Sequence, residues 1–515
     1  MSTVPALGSP AVGARPNDRR WLALAIIAVV QLMIIVDGSI VTIALPTAQR
    51  ALGISTADRQ WVITAYTLAF GGLLLLGGRI ADYVGRKRVF VIGLIGFAAA
   101  SAVGGLAQDG AMLFASRAVQ GAFAAVMAPA ALSLLAVTFT DPKERAKAFG
   151  VFGAIAGSGL AIGLIAGGVL VQYASWRWCL LVNVPIGLVT ALAGSRVLTE
   201  SKATGDAHYD IRGAVTATVG LVCLVYGMSE AASHGWASTD SVGFLVAAAA
   251  LLLAFVVIEL RVANPLLPLR VVTERNRGGS FLTSMLVGAG LFGMFLFLSY
   301  YLQGTLHYSA LQTGFAFLPV SGGVIASAAL ASFLLPRMPP RVIMGIGLLL
   351  SIAGLLLFTQ IGVHSAFVPH ILPGELVMSV GLGLVFVPVT SVSLFGVHPN
   401  DAGVASALVN TTQQVGGSIG TALLNTVAIS ASAGYLATRG GLHATAAALT
   451  RATIHSYVTA FWVAGGLMAV GLVAVLVLVN AKTEDVPTGI AIPVADEGPA
   501  APAPPSADPA LEPSA

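Results

Sequence analysis

The stretch Gly78-Arg79-Ile80-Ala81-Asp82-Tyr83-Val84-Gly85-Arg86-Lys87-Arg88 sets two glycines and one acid before a basic cluster. It lies between two apolar runs, near 61–81 and 89–107, each long enough to cross a hydrocarbon layer of ~30 Å as a helix. Its mechanics follow from residue type. Gly78 and Gly85 permit a tight turn and close helix approach, Asp82 can cap a helix end or pair across a bundle, and Arg86, Lys87 and Arg88 meet anionic headgroups and a neighbouring helix end. Two readings follow: basic anchoring at one membrane face, which accounts for Arg86 to Arg88 alone, or a latch of one conformational state, which also uses Gly78, Asp82 and Gly85.

The rest of the chain supports a membrane reading. Of 515 residues 57% are hydrophobic and only 9% charged, with a mean hydropathy of +0.89, which excludes an ordinary water-soluble enzyme. Ten-residue alternating blocks with aromatic girdles are absent from the sequence, so the spans are helices and not barrel strands. Fourteen apolar runs can be marked, at about 21–45, 61–81, 89–107, 111–138, 148–172, 177–197, 212–229, 241–261, 280–303, 311–335, 342–362, 371–396, 403–431 and 456–480. The expected fold is an all-α polytopic membrane protein with 14 transmembrane helices. The first run follows Arg19 and Arg20 without an Ala-x-Ala cleavage pattern, so it reads as a retained helix. Cys179 and Cys223 sit in apolar runs at no metal-binding spacing and read as packing residues.

Orientation follows from the 26 Lys and Arg. Across fourteen alternating crossings, Arg50, Arg59, Arg177, Arg439 and Arg451 fall on one side, Arg117 falls inside a helix, and all the others share the side of the Gly78–Arg88 turn. The positive-inside rule then places both termini in the cytoplasm, and a composition rich in Ala and Gly points to a bacterial cytoplasmic membrane. The thin net charge of +4 points to no nucleic acid. Residues 481–515, rich in Pro and Ala, read as a disordered cytoplasmic tail.

A weak internal repeat organises the spans. Asp141-Pro142-Lys143-Glu144-Arg145-Ala146 and Pro399-Asn400-Asp401-Ala402-Gly403 each lead into a Gly-rich helix, and Arg79–Arg88 has a degenerate counterpart in Leu335–Arg341. The division is a cytoplasmic N-terminus (1–20), an N-terminal six-helix half (21–197), two inserted helices with linkers (198–279), a C-terminal six-helix half (280–480) and the tail. Such repeats place a binding site at the midplane between halves.

Candidate chemistry centres on Asp37, about sixteen residues into the first helix and hence ~24 Å along its rise. It is the only carboxylate well inside an expected span; Glu259 and Glu375 fall near span ends and Glu230 at an outer edge. A buried carboxylate beside a movable cation is a proton-loading switch. Arg117, ~9 Å below the opposite face on the fourth helix, lies at similar depth, so the pair is either that switch or a static ion pair fixing packing. On the fifth helix Gly153, Gly157, Gly163, Gly167 and Gly168 make a smooth face for close helix approach, for plain packing or for gating. Gln31, Gln120, Gln303, Glu375 and Asn410 are candidate polar groups of a substrate cavity. The run Asn410-Thr411-Thr412-Gln413-Gln414 is too polar for lipid and faces either protein or water. Trp176, Trp178, Tyr300 and Tyr301 fit either an interfacial aromatic belt or contacts to a ligand, with the belt the expected reading.

Several of these stretches together resemble the fourteen-helix drug:proton antiporter branch of the major facilitator superfamily, over about residues 20–480. Gly78–Arg88 is similar to the superfamily's signature between helices two and three. Val36-Asp37-Gly38-Ser39 with Ala44-Leu45-Pro46 resembles the first-helix motif, and Arg117-Ala118-Val119-Gln120-Gly121 resembles the fourth-helix motif linked to proton transfer. The fifth-helix glycines resemble the antiporter motif, with Leu164 where a proline is usual. Trp176-Arg177-Trp178, Asn183-Val184-Pro185, Asn264-Pro265 and Tyr300-Tyr301-Leu302-Gln303 are further similar stretches. The resemblance implies a monomeric proton-driven antiporter that exports hydrophobic or cationic small molecules, drugs or antibiotics, with protons, cargo and lipid as partners and no cofactor. Export of one endogenous metabolite is the alternative within transport; an uncoupled facilitator or a sensor would keep the same fold. No phosphate-loop, His-Glu-x-x-His or Gly-x-Ser-x-Gly motif occurs in the sequence, which argues against a nucleotide-driven pump and against an enzyme.

Overall fold

A computed structural model describes residues 18–139, 141–202, 210–262, 265–397, 401–438 and 445–482. The expected tail from residue 483 on, most of the N-terminal segment, and Asn264, Pro399 and Asn400 lie outside these. Fourteen long helices run through the described residues. The first half holds α1 (Asp18–Leu52), α2 (Trp61–Val84), α3 (Arg86–Gly105), α4 (Gly110–Thr138), α5 (Pro142–Tyr173) and α6 (Trp178–Val197). Then come the inserted α7 (Ile211–His234) and α8 (Thr239–Arg261). The second half is α9 (Arg275–Thr305), α10 (Ala310–Leu334), α11 (Pro340–Phe358), α12 (Leu372–Leu394), α13 (Ala402–Ala437) and α14 (Ala446–Leu478). Thirteen are long and apolar enough to cross a membrane, and α5 carries the shorter apolar segment Ser158–Tyr173.

Local chemistry sets the ends and the breaks. The side chains of Asp109, Asp210, Ser238 and Thr445 cap α4, α7, α8 and α14 by accepting from main-chain N–H groups of the first turn, and Ser309 forms a reciprocal capping box with Gln312 on α10. Pro185 lacks the N–H that would bond the Leu181 carbonyl, and α6 breaks at Val182 into Trp178–Leu181 and Asn183–Val197. Near Pro319, α10 likewise breaks at Phe317. α1, α13 and α14, at 35, 36 and 33 residues, outrun their apolar stretches, because hydropathy marks only the part of a helix that lipid surrounds.

Within the first half α2 packs on α4, α4 on α3, and α1 on α5; in the second, α9 packs on α13 and α14, and α12 on α10 and α11. The inserted hairpin lies outside, with α7 against α2 and α13 and with α8 held chiefly by α7. The halves meet unevenly. On the face away from the Gly78–Arg88 turn, one hydrophobic core runs from Ile40, Val41 and Ile63 through Leu164 into Leu302, Phe317 and Phe358. Polar contacts tie the same face: Ser299 Oγ donates to Thr42 O and Gln303 Nε2 to Ile43 O, each at 3.2 Å, and Arg59 Nε donates to Asn425 Oδ1 at 3.2 Å. The Arg59 guanidinium lies 4.1 Å from the Tyr300 ring centroid, a cation–π contact that compensates a cation 5% exposed. Toward the other, basic face the halves part around a cavity.

Of the four aromatic residues expected in a belt, only one faces outward. Trp178 is 48% exposed, but Trp176, Tyr300 and Tyr301 are buried. Tyr300 stacks on Arg59 and donates to Gln49, and Tyr301 donates to the Gly362 carbonyl at 2.7 Å, so both hydroxyls are used inside the protein and not at a lipid interface.

Candidate functional site

The break in α6 turns Asn183 inward, and five helices converge there on Asp37. The side chains of Asp37 and Arg117 are 0% and 1% exposed. Arg117 Nη1 donates to Asp37 Oδ2 at 2.6 Å, while Gln120 Nε2 and Asn183 Nδ2 each donate to Asp37 Oδ1 at 2.8 Å. Gln120 Oε1 accepts from Arg117 Nη1 at 2.6 Å, and Ser101 Oγ accepts from both amides and donates to the Leu180 carbonyl at 2.8 Å. Arg117 Nε donates to the Val62 carbonyl at 3.1 Å, and its guanidinium lies 4.3 Å from the Tyr66 ring centroid. A buried ion pair holds only when its remaining hydrogen-bonding positions are filled, and here the Gln120 and Asn183 side chains of α4 and α6 and the Val62 carbonyl of α2 bond the pair, while Ser101 of α3 holds both amides in place.

A cavity of about 640 Å³ lies beside this network. Arg117 and Tyr66 line it, and Asp37 lies behind them. Its wall is apolar and aromatic (Ile34, Ile35, Phe70, Phe292, Phe295), with Gln31, Asn410, Gln413 and Gln414 as uncharged polar groups, and it reaches the basic face at Arg79, Asp82, Leu266 and Asp401. Such a wall orders cargo mainly by shape and apolar contact. Gln31 and Asn410 thus sit where a cavity role requires them. Three other candidates do not. Gln120 belongs to the Asp37 network, Gln303 is tied to Ile43 and Ser299, and Glu375 is enclosed at the start of α12 among α10 and α11, with neither carboxyl oxygen hydrogen-bonded. Hydropathy placed Glu375 near a span end; tertiary packing encloses it.

At the basic face, Gly85 has φ 126°, a backbone conformation that favours glycine. A Cβ there would also strike the Glu200 carboxylate. Glu200 accepts from the main-chain N–H of Lys87 at 3.0 Å and of Arg88 at 3.2 Å, closing the exposed N-terminus of α3. Asp82 pairs with Arg86 at 2.9 Å within the turn and not across the bundle. Close approach is supplied by Gly77, where a methyl would collide with the Ala125 carbonyl, and not by Gly78, whose nearest neighbour would stand at 3.6 Å. Beyond the turn, Arg79 Nη2 donates to the Pro265 carbonyl at 3.3 Å.

On α5, Gly163 and Gly167 lie against Val36 and Ile40 of α1, and Gly168 lies against Leu311 of α10. The helix therefore bridges the halves at the sealed face, and Leu164, 0% exposed, leaves it continuous. Gly153 and Gly157 are on the same helix, but their surroundings lie outside the described residues. Sequence reasoning assigned no role to Asn183, Ser101 or Tyr66; the signal available was Asn183 two residues before a proline inside an apolar run.

A helical bundle in two halves around a cavity is a transporter architecture, and the family model described as Major Facilitator Superfamily matches residues 27–421. The chain belongs to the major facilitator superfamily. As a member it is a multi-pass membrane transporter and not an enzyme. Similar superfamily proteins include a puromycin resistance protein of Streptomyces alboniger, 47% identical over 94% of this chain and 96% of that one. A cephamycin export protein of Amycolatopsis lactamdurans is 39% identical over 80% and 86%, and a tetracenomycin C resistance and export protein of Streptomyces glaucescens 34% over 81% and 77%. In fold, the chain is similar to an inward-facing, unoccupied crystal structure of a bacterial homologue of the lysosomal transporter Spinster, with a TM-score of 0.63 at 16% identity, covering 90% of this chain and 98% of that one.

Proposed function

We propose that this chain is a proton-coupled antiporter that exports hydrophobic or cationic small molecules, antibiotics among them, across the bacterial cytoplasmic membrane by alternating access, as a monomer without a cofactor and with both termini cytoplasmic. The observation that carries the reading is the Asp37–Arg117 pair, buried, with Arg117 itself lining the cavity beside Tyr66. Every hydrogen bond to Asp37 comes from a donor. Three donors leave one acceptor position of the carboxylate free for a proton, and neutralising Asp37 removes the counter-charge that holds Arg117, so Arg117 is the partner released. Arg117 already lines the cavity, so its release alters the cargo wall and loosens α4 from α1, favouring the outward-open state.

In the present state the basic face is the cytoplasmic entrance. The turn carrying Gly78, Asp82, Gly85, Arg86 and Lys87, with Arg79 on Pro265, acts as its latch. Asp82 and Asp401 at the mouth are each paired with arginine. Cargo is therefore held by the aromatic and amide wall, which suits apolar molecules and lipophilic cations alike. The names of the similar proteins favour an antibiotic as cargo, and export of one endogenous antibiotic is the narrower form of the same reading.

The test is substrate-induced proton movement in proteoliposomes under an imposed pH gradient, with puromycin, a cephamycin and lipophilic cations as the panel. Gradient-driven flux in the natural chain that disappears in Asp37→Asn, with cargo binding retained, is expected. Flux indifferent to pH and to Asp37 would leave a facilitator or a sensor.

A further inference from the structure

We infer that Asp210 and Glu259 form a second proton-binding site, at the base of the inserted hairpin, in which the two carboxyl groups share one proton. Their residues are 8% and 4% exposed. Each uses one oxygen on a main-chain N–H: Asp210 Oδ1 accepts from Gly213 at 2.8 Å, and Glu259 Oε2 accepts from Leu267 at 2.9 Å. The other two oxygens, Asp210 Oδ2 and Glu259 Oε1, have no hydrogen-bond partner among the described residues. Both press on one point above Gly213, where a methyl would stand 2.8 Å from Glu259 Oε1 and closer still to Asp210 Oδ2. Two acceptors brought together out of water repel unless one carries a proton, and a proton between them satisfies both at once.

The surrounding charges agree. Arg79 of α2 acts electrostatically on Glu259, but its described hydrogen bond goes to the Pro265 carbonyl. Arg212 and Arg261, on the hairpin helices, are exposed, and α13, which packs on α7, carries no charged residue from Ala402 to Ala437. A divalent cation would need several more oxygen ligands and would face Arg79, so the proton is the ligand these groups fit.

The site is tied to the cavity. Arg79 and Leu266 line the cavity's mouth, and the segment 265–268 is held by Glu259 through Leu267 and by Arg79 through Pro265. Loss of the shared proton sets two carboxylates against each other and draws Arg79 from Pro265 toward them, so occupancy of this site sets the position of the mouth. That consequence bears on the transport reading above; the proton site stands apart from it.

Infrared difference spectra of the full chain in nanodiscs, stepped from mildly alkaline to mildly acidic pH, test the site. A protonated-carboxyl C=O band that titrates, persists in Asp37→Asn and disappears in Glu259→Gln is expected. Asp210→Asn, which keeps the helix cap, should remove the same band. A band untouched by both substitutions, two bands each removed by one of them, or the same spectral change on adding sodium or calcium at fixed pH would overturn it. For the mouth, spin labels on Val84→Cys and Thr273→Cys, both exposed, in a Cys223→Ser background should change separation with pH in the natural chain and not with Glu259→Gln. A separation insensitive to pH in both would overturn the link to the mouth, whatever Asp37 does in transport.

Discussion

Asp37 in the first half and Glu375 in the second are both carboxyl groups at 0% exposure inside crossing helices, yet only one is built into a network. Asp37 receives three hydrogen bonds, one from a guanidinium. Glu375 receives none at either oxygen among the described residues. Burial is the same in both, so the difference lies in partners brought from distant sequence: Arg117, Gln120 and Asn183 come from helices that reach Asp37 only in the folded bundle. An enclosed acid beside a cation and hydrogen-bond donors has its desolvation cost offset, and one without them bears that cost in full.

The comparison can be broken most sharply at Arg117. Arg117→Ala leaves Asp37 enclosed without a counter-charge and should destabilise the chain by about 3–5 kcal/mol, read as a large fall in thermal unfolding temperature in detergent. Adding Asp37→Leu should restore most of it, and an unshifted unfolding temperature in the single variant would show that the pair is not what holds α1 to α4.

Asn183→Ala removes one donor from Asp37 and should cost about 1.5–3 kcal/mol, measured by the same unfolding assay. If it proves neutral, water replaces the amide and the network is less closed than its geometry.

Glu375→Leu should lie within about 1 kcal/mol of the natural chain, on the stable side, because an apolar side chain of similar volume suits a site that offers no hydrogen bond. A marked loss of stability or flux would give Glu375 a role that its present surroundings do not show.

A third carboxylate sharpens the point that partners decide. Glu274 caps α9 and accepts from the Asn276 and Arg277 main-chain N–H groups at 3.1 and 2.9 Å and from Asn276 Nδ2 at 3.0 Å. Burial pushes its carboxyl up, but these bonds and Arg277 outweigh it and hold it below the usual glutamate range. Its stabilisation is therefore present above the ordinary glutamate value and lost as pH falls through its lowered folded value. Glu274→Gln should cost at most about 1 kcal/mol at neutral pH, given partial exposure, and the difference should vanish in acid. A gap that does not change with pH would remove the charge from the cap.

Much of the fold was legible because lipid imposes a simple rule: a span must be apolar, long and helical, so its composition betrays it without any knowledge of neighbours. That rule found α1 to α14, and the Lys and Arg distribution supplied the basic face. It was silent on neighbours. Glu259 and Glu375 do lie near the ends of α8 and α12, yet both are buried, and Tyr300 and Tyr301, which looked like a belt, are enclosed, because hydropathy sees depth along one helix and not what packs against it.

The candidate site divides along the same line. Asp37 and Arg117 stood out singly, since a charge within an apolar run is costly and conspicuous. The depth estimate allowed their pairing, but Asn183, Ser101 and Tyr66 carry no charge and resemble ordinary helix residues until α6 breaks and turns one of them inward. Charge and hydropathy are local properties, so the many-helix membrane transporter, with Asp37 and Arg117 standing inside its spans, was legible from the chain alone. Which polar groups meet the acid, which face is sealed, and whether Gln31 or Glu375 sees the cavity were decided only by the tertiary structure, because contacts between residues far apart in sequence depend on how whole helices are rotated and packed.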